Sequence, residues 1–245
     1  MANQRPCDPT ETRPARNPPG QRPRGVFITG NDTGVGKTFV ACQIAKALLE
    51  RDIKVGVYKP IASGCRREGD ALISDDAEAL WRAAGKPKTL QEVCPQCFEA
   101  PLAPNLAAKA ERGKVNSSLL RQGLQPWIAE FEISIVEGAG GYFSPLSDED
   151  LCADLAVDFG FPVILVVANR LGAIHQSLAT MHAIKTYRGG LAVAGIVLND
   201  VSDELDASSA SNLNELRRHV GEIPVAHTSF AKNECLVAVL EWINS

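Results

Sequence analysis

The chain has 245 residues, of which 45% are hydrophobic, and its formal net charge is −4 at pH 7. This length and apolar content are enough to bury one sizeable core, and the acidic balance lacks the electrostatic footprint of a protein that binds nucleic acid or an anionic membrane surface. Because there is no run of about 18 apolar residues and no apolar core near the amino terminus, we expect neither a membrane span nor a secretory signal.

Residues 1–24 differ in composition from the rest of the chain. They contain six prolines, five arginines and almost no large apolar side chains. Such a segment cannot bury enough surface to fold, so we predict a disordered arm at 1–24 and a single folded domain at 25–245. The role of the arm is open between targeting or docking and a solvated tail. Asp8 and Glu11 disfavour a mitochondrial-type transit peptide, which is normally poor in acids.

The first predicted elements of the folded part are a strand at 25–30, a glycine-bearing turn, and a helix at about 37–51. The turn has the sequence GNDTGVGKT. A strand, a glycine turn and a helix form the context of a phosphate-binding loop, in which backbone N–H groups and the helix dipole attract the anion. Lys37 would reach the terminal phosphates and Thr38 would bind Mg²⁺. We therefore predict a site for a nucleoside triphosphate.

The spacing of this loop departs from the common form G-x-x-x-x-G-K-[ST]. Counting back from Gly36 puts Asn31 in the first glycine position, and Gly30 lies one residue further out, so that the loop carries an extra residue. The alternative is a glycine-rich turn that contains a lysine by chance. Gly-Lys-Thr after a strand favours the phosphate loop. The unusual spacing limits the protein families to which the loop could belong, but it does not argue against nucleotide binding.

A second strand is predicted at 54–58, and Lys59 follows it at the same edge of the sheet. A second lysine near a triphosphate can neutralise charge as a phosphoryl group transfers, although a lysine at a strand end is often only solvated. Pro60 and the turn Ala62-Ser63-Gly64 favour a functional role, because they fix the backbone and offer a hydroxyl and N–H groups.

Two acidic positions are candidate metal ligands. Glu137 directly follows an apolar strand predicted at 133–136, which would bring its carboxylate beside the phosphate loop, where it can hold Mg²⁺ directly or through water. The alternative is that Glu137 begins a helix and interacts with the helix dipole. Asp75 and Asp76 begin a helix predicted at 74–84, where such residues are usually caps, although one of them could reach the metal.

The chain has seven cysteines, at positions 7, 42, 65, 94, 97, 152 and 235. This odd and scattered set argues against a disulfide framework and indicates a reducing compartment, which we expect to be the cytoplasm. The pair Cys94-Pro-Gln-Cys97 could indicate zinc or redox chemistry. Two unpaired thiols are favoured, because no second CxxC or His pair lies at ligand spacing and the pair falls in a loop.

Strands and helices alternate through the rest of the chain. Further strands are predicted at 162–168, 192–198 and, more weakly, 223–226. Further helices are predicted at 105–112, 116–130, 150–159, 173–188, 207–219 and 232–244. The strands are continuous apolar runs, as is typical of a parallel sheet covered on both faces. We therefore predict an α/β fold of the P-loop NTPase type, a doubly wound and mostly parallel sheet with helices on both faces and ligands at the carboxyl ends of the strands.

Five segments follow one another along the chain: GNDTGVGKT, GVYKPIASG, SDDA, VEGAGG followed by YFSPL, and PVILVVANRLGAIH. In this order and spacing they resemble the dethiobiotin synthetases of biotin biosynthesis. The resemblance covers about 26 to 226 and implies an ATP- and Mg²⁺-dependent cyclo-ligase that acts on 7,8-diaminononanoate and CO₂ or bicarbonate. In that family a carbamate forms on one amine, ATP phosphorylates it, and the neighbouring amine closes a cyclic urea. The resemblance also implies a homodimer.

The resemblance assigns roles to individual positions. The implied catalytic residues are Lys59, Lys37 and Thr33, and the implied metal ligands are Thr38, Asp76 and Glu137. The implied substrate contacts are Ser63, Gly141, Arg170 and Leu171, of which the last two would serve the neighbouring subunit. The implied nucleotide contacts are Gly34, Val35, Gly36, Lys37, Thr38, Phe39, Asp76, Glu137, Gly138, Ala139, Gly140, Asn199, Asp200, Pro224, Val225 and Ala226, with Asn199 and Asp200 reading adenine. Gly34 and Arg170 are departures, since some members carry an acid and a lysine there.

The main alternative is a partitioning-type P-loop switch ATPase. Such proteins carry a second lysine where this chain has Asp32, and they lack the segment Lys-Pro-x-Ala-Ser-Gly. Amidating synthases of the cobyrinate type share the nucleotide fold but append a glutamine amidotransferase domain, for which the roughly 20 residues after the last predicted strand are too few. A decayed site is disfavoured because every metal and phosphate position is filled.

Overall fold

The computed structural model describes residues 25–204, 206–229 and 239–242. The arm predicted at 1–24 lies outside the described residues. So does most of the helix predicted at 232–244, of which only 239–242 are described, and these are helical. None of the helices within the described ranges is long and apolar enough to cross a bilayer.

A parallel sheet forms the centre of the molecule. The strands are β1 (Gly25–Gly30), β2 (Val55–Tyr58), β3 (Arg66–Glu68), β4 (Ala71–Ile73), β5 (Ile133–Gly141), β6 (Val163–Ala168), β7 (Val193–Asn199) and β8 (Val225–Thr228). Six of them pair in parallel in the order β2-β5-β1-β6-β7-β8, and β3 and β4 form a separate antiparallel pair. Strands β1, β2 and β6 are buried along their whole length, because helices flank the sheet. The predicted fold class is confirmed.

Nine α-helices lie between residues 25 and 229, in addition to the helical residues 239–242. They are α1 (Lys37–Leu49), α2 (Asp75–Ala83), α3 (Leu90–Val93), α4 (Pro104–Ala110), α5 (Ser117–Gln122), α6 (Gln125–Glu130), α7 (Cys152–Phe159), α8 (Ala173–Thr186) and α9 (Ser209–His219). A 3₁₀ turn, Tyr187–Gly189, follows α8. The short α3 and the β3–β4 pair were not predicted.

The single helix predicted at 116–130 is wrong. Gly123 is the C-cap of α5, and a proline near the start of α6 begins a second helix. The break has a packing reason, since a Cβ at Gly123 would lie 2.3 Å from the Tyr58 hydroxyl oxygen. That hydroxyl in turn donates to the carbonyl groups of Leu119 and Leu120 at 3.1 Å. The end of α5 is therefore fitted to the end of β2.

Strand β5 is longer than predicted. The prediction ended the strand at 136, but β5 continues to Gly141, so Glu137 lies inside it and pairs with Ile28 of β1. The pairing with β1 shifts register between Ile28 and Gly30. Glu137 therefore does not begin a helix. A carboxylate is tolerated at this buried strand position because polar partners surround it, as described below.

Candidate functional site

The loop between β1 and α1 has the geometry of an anion-binding loop. Gly36 is the N-cap of α1 with φ 94° and ψ 25°, and Gly34 also has a positive φ of 73°. A Cβ at Gly36 would lie 2.0 Å from Nδ2 of Asn199, so only glycine fits. Among the described residues no side chain caps α1, which leaves its first backbone N–H groups available to a ligand.

Lys37 lies within this loop. Its side chain is largely buried, and its Nζ donates a hydrogen bond to the carbonyl oxygen of Asp32 at 3.0 Å. Burial lowers the pKa of Lys37, an effect that nearby Glu137 partly offsets and Lys59 reinforces. A phosphate in the loop would give this ammonium a stronger acceptor than the carbonyl group that it now contacts.

Lys59 is the centre of a buried ionic cluster beside the loop. Lys59 is 2% exposed, and its Nζ lies 2.7 Å from Oε1 of Glu137 and 3.1 Å from Oδ2 of Asp76. Glu137 is fully buried, and its Oε1 also accepts a hydrogen bond from the Thr38 hydroxyl at 2.7 Å. Burial alone would lower the pKa of Lys59, but Glu137 and Asp76 outweigh burial and raise the pKa above its ordinary value. Lys59 is therefore a fixed positive charge.

The start of α2 holds Asp76 in place. Ser74 is the N-cap, and its hydroxyl oxygen accepts a hydrogen bond from the backbone N–H of Ala77 at 3.2 Å. Asp75 and Asp76 therefore lie in the first turn and are not the caps. Burial raises the pKa of Asp76, but Lys59 and a hydrogen bond from Thr38 outweigh it and lower the pKa below its ordinary value. Asp76 is the acid of this helix that faces the cluster.

The oxygen atoms around Lys59 fit a magnesium ion. Oε2 of Glu137 is buried and has no hydrogen-bond partner among the described residues. Together with the Thr38 hydroxyl and the Asp76 carboxylate, it supplies the hard oxygen ligands that Mg²⁺ prefers. In the part of the chain that the structure describes, no group of three or more His, Cys, Asp or Glu residues could hold a metal alone. Two carboxylates and a hydroxyl would need phosphate oxygens or water to complete the coordination.

Of the residues predicted for catalysis or substrate binding, Gly141 and Thr33 lie at the phosphate loop, and Ser63 follows Lys59 along the chain. Gly141 pairs with Gly30, and its N–H donates to the Ser144 hydroxyl at 2.7 Å, so it flanks the start of the phosphate loop. Thr33 lies on the loop itself, and its Oγ1 is 3.8 Å from where a Cβ of Gly140 would be. No hydrogen bond within the described ranges joins Ser63 to Lys59 or Glu137.

Arg170 and Leu171 lie on the turn between β6 and α8. Nη2 of Arg170 is 3.9 Å from Oδ2 of Asp32, and both side chains are more than half exposed. Leu171 is 81% exposed, and its backbone N–H donates to Asp206 at 2.7 Å. The turn therefore places a guanidinium group beside the phosphate loop and leaves a large apolar side chain facing solvent.

The two predicted nucleotide contacts at the end of β7 belong to a buried polar network. Asn199 donates through Nδ2 to the carbonyl oxygen of Val35 at 2.9 Å and accepts from the Thr228 hydroxyl at 2.6 Å. The Asp200 carboxylate accepts from Nδ2 of Asn169 at 2.8 Å and lies 2.9 Å from Nε2 of His227. Both side chains thus have protein partners, and Asn199 is the one that contacts the loop directly.

Sequence reasoning missed Asn169, His227 and Thr228 in this network. All three lie at the carboxyl ends of strands, which is the signal that could have found them. The last strand was predicted to end at 226, two residues before β8 ends. Of the other predicted contacts, Phe39 lies in the first turn of α1, Gly138, Ala139 and Gly140 lie in β5, Pro224 precedes β8, and Val225 and Ala226 are buried within β8.

The parallel sheet, the glycine loop at the start of α1 and the oxygen cluster beside it define a P-loop nucleotide-binding protein. A family model described as an AAA domain matches residues 24–232. The hydrogenase maturation factor HypB of Archaeoglobus fulgidus has a similar fold, with a TM-score of 0.52, 14% identity, and coverage of 90% of this chain and 87% of that one.

Relatives whose names state an activity show to which family of P-loop proteins the chain belongs. The chain is 41% identical over 206 residues to an ATP-dependent dethiobiotin synthetase of Rhodopirellula baltica, covering 80% of each chain. It is 39% identical over 203 residues to one of Anaeromyxobacter dehalogenans, covering 83% of this chain and 88% of that one. The chain belongs to the dethiobiotin synthetase family, a family of ATP-dependent ligases, and the resemblance inferred from its motifs is confirmed.

Proposed function

We propose that this chain carboxylates 7,8-diaminononanoate with CO₂ and closes it to dethiobiotin, converting ATP to ADP and phosphate. The observation that carries the proposal is the buried ammonium of Lys59, which lies 2.7 Å from Glu137 beside the phosphate loop. A ligase of this kind must activate a weak electrophile with ATP at a point where two substrates meet. The names of the relatives support the same activity.

The chemistry needs positive charge at two places. A carbamate on one amine is a poor electrophile until ATP phosphorylates its oxygen, and that step gathers negative charge on the transferring phosphoryl group. Lys37 is positioned to hold the phosphates in the loop, and Lys59 to stabilise the charge on the acceptor side. Bound Mg²⁺, held by Thr38, Asp76 and Glu137, would neutralise phosphate charge. The second amine then attacks the carbonyl carbon, the urea ring closes, and phosphate leaves.

The nucleotide would extend from the loop toward the strand ends of β7 and β8. The two carboxylates proposed to bind the metal, Glu137 and Asp76, lie on β5 and α2, so in this proposal the terminal phosphates face that side and the nucleoside lies on the other. Asn199 is positioned for this role, because it contacts the loop at Val35 and Gly36. In this proposal Asn199 and Asp200 both read adenine, and their protein partners Thr228, Asn169 and His227 hold the two side chains in place.

Replacing Arg170 by alanine is expected to raise the KM for the diamine substrate about tenfold and to leave the KM for ATP nearly unchanged. The reason is that the half-exposed guanidinium group can bind the carboxylate tail of the substrate in a bidentate manner. Steady-state kinetics with each substrate varied in turn measure the two values. Arg51→Ala, an exposed change beyond the end of α1, is the control. Equal rises in both KM values would contradict a role for Arg170 in binding the tail.

We further propose that the protein acts as a homodimer in the cytoplasm. The dimer comes from the family resemblance, and Leu171, whose exposed apolar side chain lies on the turn with Arg170, is a position that the resemblance assigns to the neighbouring subunit. The free thiols at positions 42, 65, 94, 97 and 152 suit a reducing compartment. Light scattering of the purified protein, compared with that of Leu171→Asp, measures the oligomeric state.

The experiment that tests the function is a mass-spectrometric assay for the cyclic urea product, combined with an assay of phosphate release. We expect phosphate release to require both the diamine and bicarbonate. The partitioning-type switch ATPase is not favoured. Such proteins have a second lysine in the loop, and Asp32 in that position cannot supply its positive charge. The relatives reported above are named dethiobiotin synthetases and not partitioning ATPases. Phosphate release that ignores the diamine and responds to DNA or lipid would overturn the proposal.

A further inference from the structure

Three thiols are packed together beside the segment that carries Lys59. The sulfur atoms of Cys94 and Cys97 are 3.6 Å apart, and the Cys97 thiol donates to Cys94. The thiol of Cys65 is hydrogen-bonded to Cys97 in turn. All three cysteines are reduced in the structure, and the proposed reaction uses none of them.

The cluster is part of a strap of backbone hydrogen bonds between the segments 59–65 and 93–100. The N–H of Lys59 donates to the carbonyl oxygen of Val93 at 2.8 Å, and the N–H of Ala62 donates to that of Gln96 at 2.9 Å. The remaining bonds run from Phe98 to Ala62, from Cys65 to Phe98 and from Gly64 to Ala100, at 2.9–3.1 Å. The positions of Cys94 and Cys97 are thus coupled to the backbone of Lys59.

The two thiols of the CxxC pair differ in accessibility. Cys97 is partly exposed, whereas Cys94 and Cys65 are almost fully buried. The hydrogen bond from Cys65 lowers the pKa of Cys97, but its own hydrogen bond to Cys94 and its burial outweigh that effect and raise the pKa to about 12. Because the thiolate is the reactive form, exchange at this site is slow at neutral pH and becomes faster as pH rises.

We propose that Cys94 and Cys97 form a dithiol–disulfide site for small-molecule disulfides, and that closing the disulfide lowers turnover by displacing the backbone of Lys59. A bonded pair of sulfur atoms is about 2 Å apart, so the two sulfurs must approach by roughly 1.5 Å. In this proposal the movement draws on the backbone of the segment 93–97, which is hydrogen-bonded to the segment that carries Lys59. A displacement of the order of 1 Å at a catalytic group can cost about 100-fold in rate.

The reaction is two successive thiol–disulfide exchanges. The thiolate of one cysteine attacks the small disulfide, which forms a mixed disulfide and releases one small thiolate. The thiolate of the second cysteine then attacks the protein sulfur of that mixed disulfide, closes the Cys94–Cys97 bond and releases the second small thiolate. The protein loses two protons and two electrons, and the small disulfide is reduced to two thiols. A dithiol reductant reverses both steps.

The test uses the full chain, oxidised glutathione and, separately, dithiothreitol. The protein is incubated with oxidised glutathione at about pH 8.5, where thiolates form more readily, and free thiols are then blocked with an alkylating agent. Intact-mass and peptide analysis reports the disulfide, and the assay for the cyclic urea product reports turnover. We expect a Cys94–Cys97 bond, a fall in kcat of at least about tenfold, and recovery with dithiothreitol.

Matched variants keep the two parts of the proposal separate. Cys97→Ser should form no disulfide within the cluster, and neither should Cys94→Ser combined with Cys65→Ser, a double change that is needed because Cys65 also contacts Cys97. Both variants should keep their turnover after the same treatment, while Cys42→Ser should respond like the unaltered chain. Stable glutathione adducts without an internal bond would overturn the site, and an internal bond with unchanged kcat would overturn its effect on Lys59. The effect on turnover rests on the proposed function, but the disulfide is measured by mass alone. A reduced protein that makes no cyclic urea would therefore contradict the proposed function and not the site.

Discussion

Replacing Lys59 by glutamine is expected to lower kcat for product formation by about 10³-fold, the loss typical of removing one preorganised group that stabilises transition-state charge. Glutamine keeps the length and a hydrogen-bond donor but removes the charge. Lys59 lies 2.7 Å from Glu137 and is almost fully buried, and among the described residues no other lysine forms an ion pair with Glu137 or Asp76. In the proposed mode nucleotide binding depends mainly on the loop and α1, so the Kd for ATP with Mg²⁺ should change by less than about fivefold.

Folding must be checked in the same variant, because the change leaves Glu137 and Asp76 without their shared cation. Breaking a buried ion pair from one side costs about 3–5 kcal/mol, and a lower melting temperature is therefore expected along with the lower rate. Measurements should be made well below that temperature. Lys54→Gln, an exposed change just before β2, is the control and should behave like the unaltered chain. Turnover that survives in Lys59→Gln would remove Lys59 from the mechanism.

The position of the site could be predicted because parallel strands have their carboxyl ends at one edge. Lys59 and Glu137 are 78 residues apart, yet each follows or ends an apolar run, and the pairing of β2 with β5 brings them together. From the sequence alone we could predict the edge of the sheet at which Lys59 and Glu137 lie, but not the contact between their side chains. That contact depends on the length of β5, which runs through Glu137, where Lys59 and Thr38 both donate to Oε1 of the carboxylate.

Features built from irregular backbone could not be predicted in this way. The split between α5 and α6 depends on the close fit of Gly123 to Tyr58, and the periodicity of apolar residues does not indicate such a fit. The thiol cluster depends on two loop segments that lie side by side, and nothing in the spacing of Cys65 and Cys97 indicates their contact. The pattern of hydrophobic residues indicates which face of a helix or strand is buried. It does not indicate the two contacts described here, because they depend on the backbone path of turns and loops.

Replacing Gly36 by alanine is expected to weaken ATP binding by more than about 100-fold, whereas Gly34→Ala should weaken it by about tenfold or less. Both glycines have positive φ, so each alanine incurs a backbone strain of about 1–2 kcal/mol. Only at Gly36 would the new methyl group also lie 2.0 Å from Asn199, whereas nothing lies within 4 Å at Gly34. The difference between the two variants therefore isolates the effect of close packing on the loop.

Calorimetric titration with ATP and Mg²⁺ measures both affinities, and thermal unfolding measures both stabilities. Adding Asn199→Ala to Gly36→Ala removes the clashing amide, and part of the lost stability should return. If the two glycine variants lost affinity equally, the contact between the loop and the end of β7 would have no part in shaping the phosphate site, and Asn199 would lose its structural link to the nucleotide.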